Sequence, residues 1–125
     1  MVVNSYEELI VWQKAMLLVE EVYKLVKKLP REELYALSDQ LRRAVVSVPS
    51  NIAEGHTRAG TKEFINFLSI ANGSRVEVET QLKICERLKY LSESDVTESL
   101  NLCSEVGKML NVMISKLSAK LNLNS

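Results

Sequence analysis

The side chains with the most evident chemistry in this chain are the cations Arg42, Arg43, Arg58, Lys62 and Arg75. A guanidinium sets paired N–H donors against anionic oxygens, and an ammonium adds a compact point charge, so these five are the leading candidates for contact with RNA phosphate. They can equally pair inside the chain. Adjacent helix positions diverge by about 100°, so one arginine of the Arg42-Arg43 pair can face Glu54, Glu77 or Glu79 while the other meets solvent. Lys24, Lys27, Lys28 and Arg31 form a second cationic group, blunted by Glu32 and Glu33 and by the acidic Glu93-Ser94-Asp95 connection.

Glu54, Glu77, Glu79 and His56 raise the possibility of a carboxylate-bridged metal pair, but such sites use two Glu-x-x-His elements and this chain has one histidine, in Glu54-Gly55-His56. We therefore expect no metal, no cofactor and no enzymatic activity; phosphate loops, dinucleotide fingerprints and nucleophile triads are also missing from the sequence. Asn51, Glu54, Asn72, Ser74, Glu77 and Gln81 are expected to form a polar layer that fixes helix register. Trp12 and Tyr23 read as core or interface anchors, and Cys85 and Cys103, too far apart for a CxxC site, as small buried hydrophobes.

The elements that must position these groups are helical. With four Gly and two Pro in 125 residues, and with Leu, Glu, Lys, Val and Ser abundant, the composition suits long helices better than a sheet with many turns. The periodicity predicts helices over about 6–29, 31–55, 62–91 and 93–121, in one domain spanning 1–125. Ser5-x-x-Glu8 is a capping box for the first, Thr61 a cap for the third, and Ser92 with Asp95 a cap for the fourth. Gly55 offers a stop to the second helix, which should run through Pro49 with a kink. His56 falls in the connection that follows. Ala71, Gly73 and Ser74 slim the third helix enough for a neighbouring backbone to approach, and the tail from Asn122 is expected to fray. Short connections make successive helices neighbours, so the fold class is an all-α, antiparallel, up-down-up-down four-helix bundle.

The first helix carries two apolar stripes. Tyr6, Leu9, Ile10, Gln13, Met16, Leu17, Val19, Tyr23 and Val26 trace one, assigned to the core; Val11, Trp12, Ala15, Leu18, Val22 and Leu25 trace the other. One bundle core needs one stripe. The second is therefore expected to meet another subunit. The 16 basic and 16 acidic residues cancel, so no global field draws the protomer to nucleic acid or to an anionic membrane. The start Met1-Val2-Val3-Asn4-Ser5 lacks the basic and apolar regions of a secretory signal, which gives a cytoplasmic expectation with reduced thiols and no membrane partner.

Two stretches carry a family pattern: Arg42-Arg43-Ala44 leading into Pro49-Ser50-Asn51-Ile52-Ala53-Glu54-Gly55, and Gly73-Ser74 followed by Glu77 and Gln81. With Tyr6-Glu7-Glu8-Leu9 and Val11-Trp12-Gln13 before them, the chain resembles the 23S rRNA-intervening-sequence proteins over nearly its whole length. That resemblance implies a four-helix bundle assembled as a ring-like homopentamer. A related branch holds the accessory protein of diversity-generating retroelements, a strongly basic pentamer that works with a reverse transcriptase and nucleic acid; this chain is neutral. The resulting expectation is a non-enzymatic homopentameric accessory protein associated with RNA or a nucleic-acid-processing protein, the alternative being a protein-interaction scaffold without direct nucleic-acid contact.

Overall fold

A computed structural model describes residues 5–123. Ser5 Oγ accepts the Glu7 N–H at 3.2 Å and caps only a 3-10 turn, Tyr6–Glu8, because Leu9 turns extended (φ −72°, ψ 124°). Helix α1, Ile10–Val26, starts after that break. A second 3-10 turn, Arg31–Glu33, replaces the expected start of the second helix, and Ala36 (φ −123°, ψ −102°) delays α2 to Leu37–His56. Glu33 supplies what a cap residue lacks there. Its carboxylate accepts the Leu37 N–H at 3.3 Å and the Tyr90 hydroxyl at 3.0 Å, joining the start of α2 to the loop after the third helix.

Helix α3, Thr61–Arg87, has Gly60 at its N-cap position with no side-chain cap bond, so Thr61 lies inside the helix and does not cap it. It ends where Lys89 adopts the left-handed conformation (φ 67°), letting the Tyr90 N–H return to Cys85 O at 3.0 Å and the Lys89 N–H to Glu86 O at 3.1 Å. Helix α4, Glu93–Leu123, opens with the expected reciprocal cap: Asp95 N–H donates to Ser92 Oγ (3.1 Å) and Ser92 N–H to Asp95 Oδ2 (2.9 Å). The helix continues past Asn122, and the rest of the expected frayed tail, Asn124-Ser125, lies outside the described residues.

Each helix packs on two others, α1 and α3 both lying between α2 and α4. Directions follow from paired residues. Gln40 meets Gln81 and Ser47 meets Ser74, so α2 and α3 run antiparallel; Lys14 meets Glu105 and Lys28 meets Asp95, so α1 and α4 do too. Together with the short turns this is the four-helix bundle, all-α among the described residues. Its apolar interior forms two stacked clusters. Leu18, Val22, Leu41, Val45, Val78, Leu82, Cys85 and Cys103 lie in one, and Val11, Ala15, Val48, Ile52, Leu68, Ala71, Val106 and Leu110 in the other. Helix α2 runs through Pro49 without ending.

Two solution properties follow from these positions. The Lys28 ammonium first, and the Ser92 backbone second, hold the Asp95 carboxyl at about 2, below its ordinary 3.8. A depressed folded-state value adds stability that is complete above the unfolded value and disappears as pH falls through the folded one. The melting temperature should therefore drop between about pH 4 and pH 2. Asp95→Asn should lower it at neutral pH and flatten that part of the profile; an unchanged profile in thermal scans would show that the cap and ion pair add nothing. Burial, the largest cause in each case, pushes the Cys85 thiol up to about 11 and the Cys103 thiol up to about 12. Both are free and buried, so neither should be alkylated in native protein at pH 8, whereas both should react in denaturant.

Candidate functional site

The structure scatters the five candidate cations. Arg42 and Arg43 sit early in α2, Arg58 and Lys62 flank the turn from α2 to α3, and Arg75 lies midway along α3. At 1.5 Å per helical residue, Arg42 and Arg58 are separated by roughly 20 Å along the bundle. Most are already engaged. Arg43 Nε bonds Asp39 at 2.9 Å, Arg58 Nη2 bonds Glu54 at 2.9 Å while its guanidinium lies 5.0 Å over the Phe67 ring, and Arg75 Nη1 bonds Glu79 at 3.2 Å. Arg42 donates to Leu34 O at 3.4 Å. Of the five, Lys62 alone makes no ion pair or hydrogen bond among the described residues. The exposed i, i+4 pairs among them, Arg43–Asp39 and Arg58–Glu54, stabilise by about 0.3–0.5 kcal/mol each. The five candidates therefore do not form one continuous basic face.

In the second cationic group Lys28 meets Asp95 of the acidic connection at 2.8 Å, as expected, whereas Lys24 pairs with Glu21 (3.2 Å) and Glu33 accepts the Leu37 N–H and the Tyr90 hydroxyl in place of a cation. The polar layer divides into separate groups, of which Asn51 and Ser74 are joined through Ser47, whose hydroxyl also receives Asn51 Nδ2 at 2.8 Å. Ser74 meets Ser47 at 2.8 Å, Asn51 Nδ2 donates to Ser47 O at 2.8 Å, and Asn72 accepts from Arg75 at 3.0 Å. Gln81 Nε2 donates to Gln40 at 3.3 Å while the buried Gln81 Oε1 finds no partner among the described residues. Glu77 is exposed. His56 ends α2 and stands edge-on to Phe64 at 5.8 Å, so it is a packed helix residue and not part of the connection. No three His, Cys, Asp or Glu side chains converge among the described residues.

The expected subunit interface is the largest correction. Val11, Leu18, Val22 and Leu25 are buried in the protomer core, with Leu18 at 0% exposure, and Trp12 is half-buried against Tyr6. Four members of the stripe assigned to the core face out instead, Ile10 at 57% exposure and Leu17 at 49% with Met16 and Tyr23 exposed beside them, whereas Val26 is buried as expected and Leu9 and Val19 pack half-buried against the core. The signal lay in continuity. Val11, Ala15, Leu18, Val22 and Leu25 repeat at four and three residues without a polar interruption, and Ala15 admits a close neighbour, whereas Gln13 and Glu20 interrupt the other stripe.

Two apolar grooves flank this outward side of α1. One of about 440 Å³ runs beside α4 along Leu9, Ile10, Met109, Val112 and Met113. The other, about 380 Å³, lies against α2 along Trp12, Met16, Val19, Val46 and Pro49. A third groove, between α3 and α4, is polar. There the Arg75 guanidinium rests on Gly107, where an added Cβ would come within 2.6 Å of Arg75 Cζ. Gly107, a glycine within an otherwise continuous helical pattern, was the available sequence signal for that close approach. Gly73 is the opposite case: an added Cβ there meets nothing within 4 Å, so it brings no backbone of this protomer close.

Fold and surface together define a class: a helical bundle with paired charges and an apolar outer flank. The chain belongs to the 23S rRNA-intervening sequence protein family, whose sequence profile matches residues 7–112. A crystal structure of a protein of unknown function from the S23 ribosomal protein family of Bacteroides thetaiotaomicron VPI-5482 is similar, with a TM-score of 0.78 and 27% identity, covering 84% of this chain and 98% of that one. No protein with a curated description matches. No helix among the described residues is long and apolar enough to cross a membrane.

Proposed function

We propose that this protein is a non-enzymatic, cytoplasmic accessory protein that acts as an assembly of identical copies, the homopentamer implied by its family resemblance. One observation carries the reading: the outward flank of α1, where Ile10, Met16, Leu17 and Tyr23 stay exposed beside two apolar grooves. Contiguous exposed apolar surface of this kind marks an interaction face, and a closed ring would bury it in every copy. Sedimentation should give a species several times the 14.1 kDa protomer. Leu17→Glu should disperse it with helix content unchanged, and a stable monomer of the unaltered chain at working concentration would overturn the assembly.

In this reading the assembly serves as a scaffold that gathers other chains, because the five candidate cations are dispersed and mostly paired. RNA association is the second reading. The family's description as 23S rRNA-intervening sequence proteins supports it, as do exposed Lys62 and the cationic groove between α3 and α4. Affinity carried by such local cations falls with salt, and removal of one true phosphate contact, tested with Lys62→Ala, should lower the logarithmic salt slope by about 0.7 for single-stranded RNA. Absence of RNA association at low salt would leave the scaffold reading alone.

A further inference from the structure

We infer that the groove between α3 and α4 is a phosphate-binding site. Two facing stripes build it: Arg75, Glu79 and Lys83 at four-residue spacing on α3, and Ser104, Gly107, Lys108 and Asn111 on one face of α4. Three cations surround a single lining carboxylate, Glu79. That carboxylate holds two of them in place, taking Arg75 Nη1 at 3.2 Å and Lys83 Nζ at 3.5 Å. Asn72 fixes a second point of the arginine by accepting its Nε–H at 3.0 Å. Arg75 Nη2 keeps its donors uncommitted among the described residues, as do Lys108, Ser104 and Asn111.

The seat of the guanidinium distinguishes this groove from an ordinary surface ion pair. An i, i+4 Arg75–Glu79 pair needs nothing from α4, yet the arginine side chain is only 14% exposed because it lies on the backbone of Gly107. A planar donor fork held from both sides presents its free edge to an oxyanion with little conformational freedom left to lose. Lys83 and Lys108 then supply charge, and the Ser104 hydroxyl and Asn111 amide supply neutral donors. The groove, about 500 Å³, is of small-ligand size. A free phosphate or nucleotide and the phosphodiester of RNA share this chemistry. The inference deepens the RNA reading and rests on it only for the larger ligand.

The test is amide chemical-shift mapping on the full chain, titrated separately with inorganic phosphate, a nucleoside monophosphate and a short single-stranded RNA. Phosphate should shift amides near residues 75–83 and 104–111. Lys108→Glu, at an exposed position, should weaken phosphate at least about tenfold, while Lys116→Glu, outside the groove, should not. Failure of phosphate to produce shifts there, or equal affinity in Lys108→Glu, overturns the site. If phosphate binds there and RNA does not, the site holds for a small ligand and the RNA reading falls. If RNA binds but neither phosphate nor the Lys108 change has an effect, the site falls and RNA association belongs to other cations.

Discussion

Leu18→Glu is expected to unfold the protomer, whereas Leu17→Glu, one residue away, should leave it folded. Leu18 is wholly enclosed in the cluster formed with Val22, Val45, Val78 and Leu82, and Leu17 is half exposed. Truncating an enclosed leucine to alanine typically costs about 2–5 kcal/mol. A carboxylate at that site adds the desolvation of a charge without a partner, so the total loss should be on the order of 5 kcal/mol or more. Domains of this size are stable by about 5–15 kcal/mol in all. Urea denaturation followed by far-ultraviolet circular dichroism should show little or no folded baseline for Leu18→Glu at pH 7. A cooperative transition near that of the unaltered chain would mean that α1 turns its other stripe to the core.

Gly55→Val should produce the second large loss, about 3 kcal/mol or more. An added Cβ at Gly55 would lie 2.6 Å from Phe67 Cβ and 3.0 Å from Phe64 Cδ1. The Phe67 Cβ is bonded to the backbone of α3, so no change of rotamer moves it away; α2 and α3 must separate. Alanine at this position gains about 1 kcal/mol of helix propensity, yet overpacking costs about 1–3 kcal/mol, so Gly55→Ala should still be destabilised. Because the collision is with Cβ itself, Phe67→Ala should not rescue it. Equal or higher denaturation midpoints for Gly55→Ala would show that the bundle opens here at no cost.

Gly55 also shows how one residue supports two readings. Its type suggested a helix stop, but α2 continues to His56 and the glycine sits buried at a helix crossing. Both roles exploit the missing Cβ, and only the position of α3 separates them. The candidate cations pose the same difficulty. Arg43, Arg58 and Arg75 each have a carboxylate four residues away in sequence, at Asp39, Glu54 and Glu79, and the structure uses all three. The spacing was visible, but a phosphate would compete for the same donors, and spacing alone does not rank the two partners.

What the sequence determined by itself was the set of helices, the end of α2, the start of α3 and both ends of α4 to within two residues, the Ser92–Asp95 cap, the family pattern and the neutral charge. Those features depend on residues within one or two helical turns of each other, through backbone hydrogen bonds and side-chain period. The tertiary structure decided which stripe of α1 faces inward, that Gly107 seats Arg75 while Gly73 stands open, and that the cations lie apart. A helix with two apolar stripes is locally consistent with either orientation. The choice comes from fitting four helices at once, where small Ala15 and an uninterrupted stripe fill the shared interior and Ile10, Leu17 and Tyr23, on the stripe that Gln13 and Glu20 interrupt, are left for the surface.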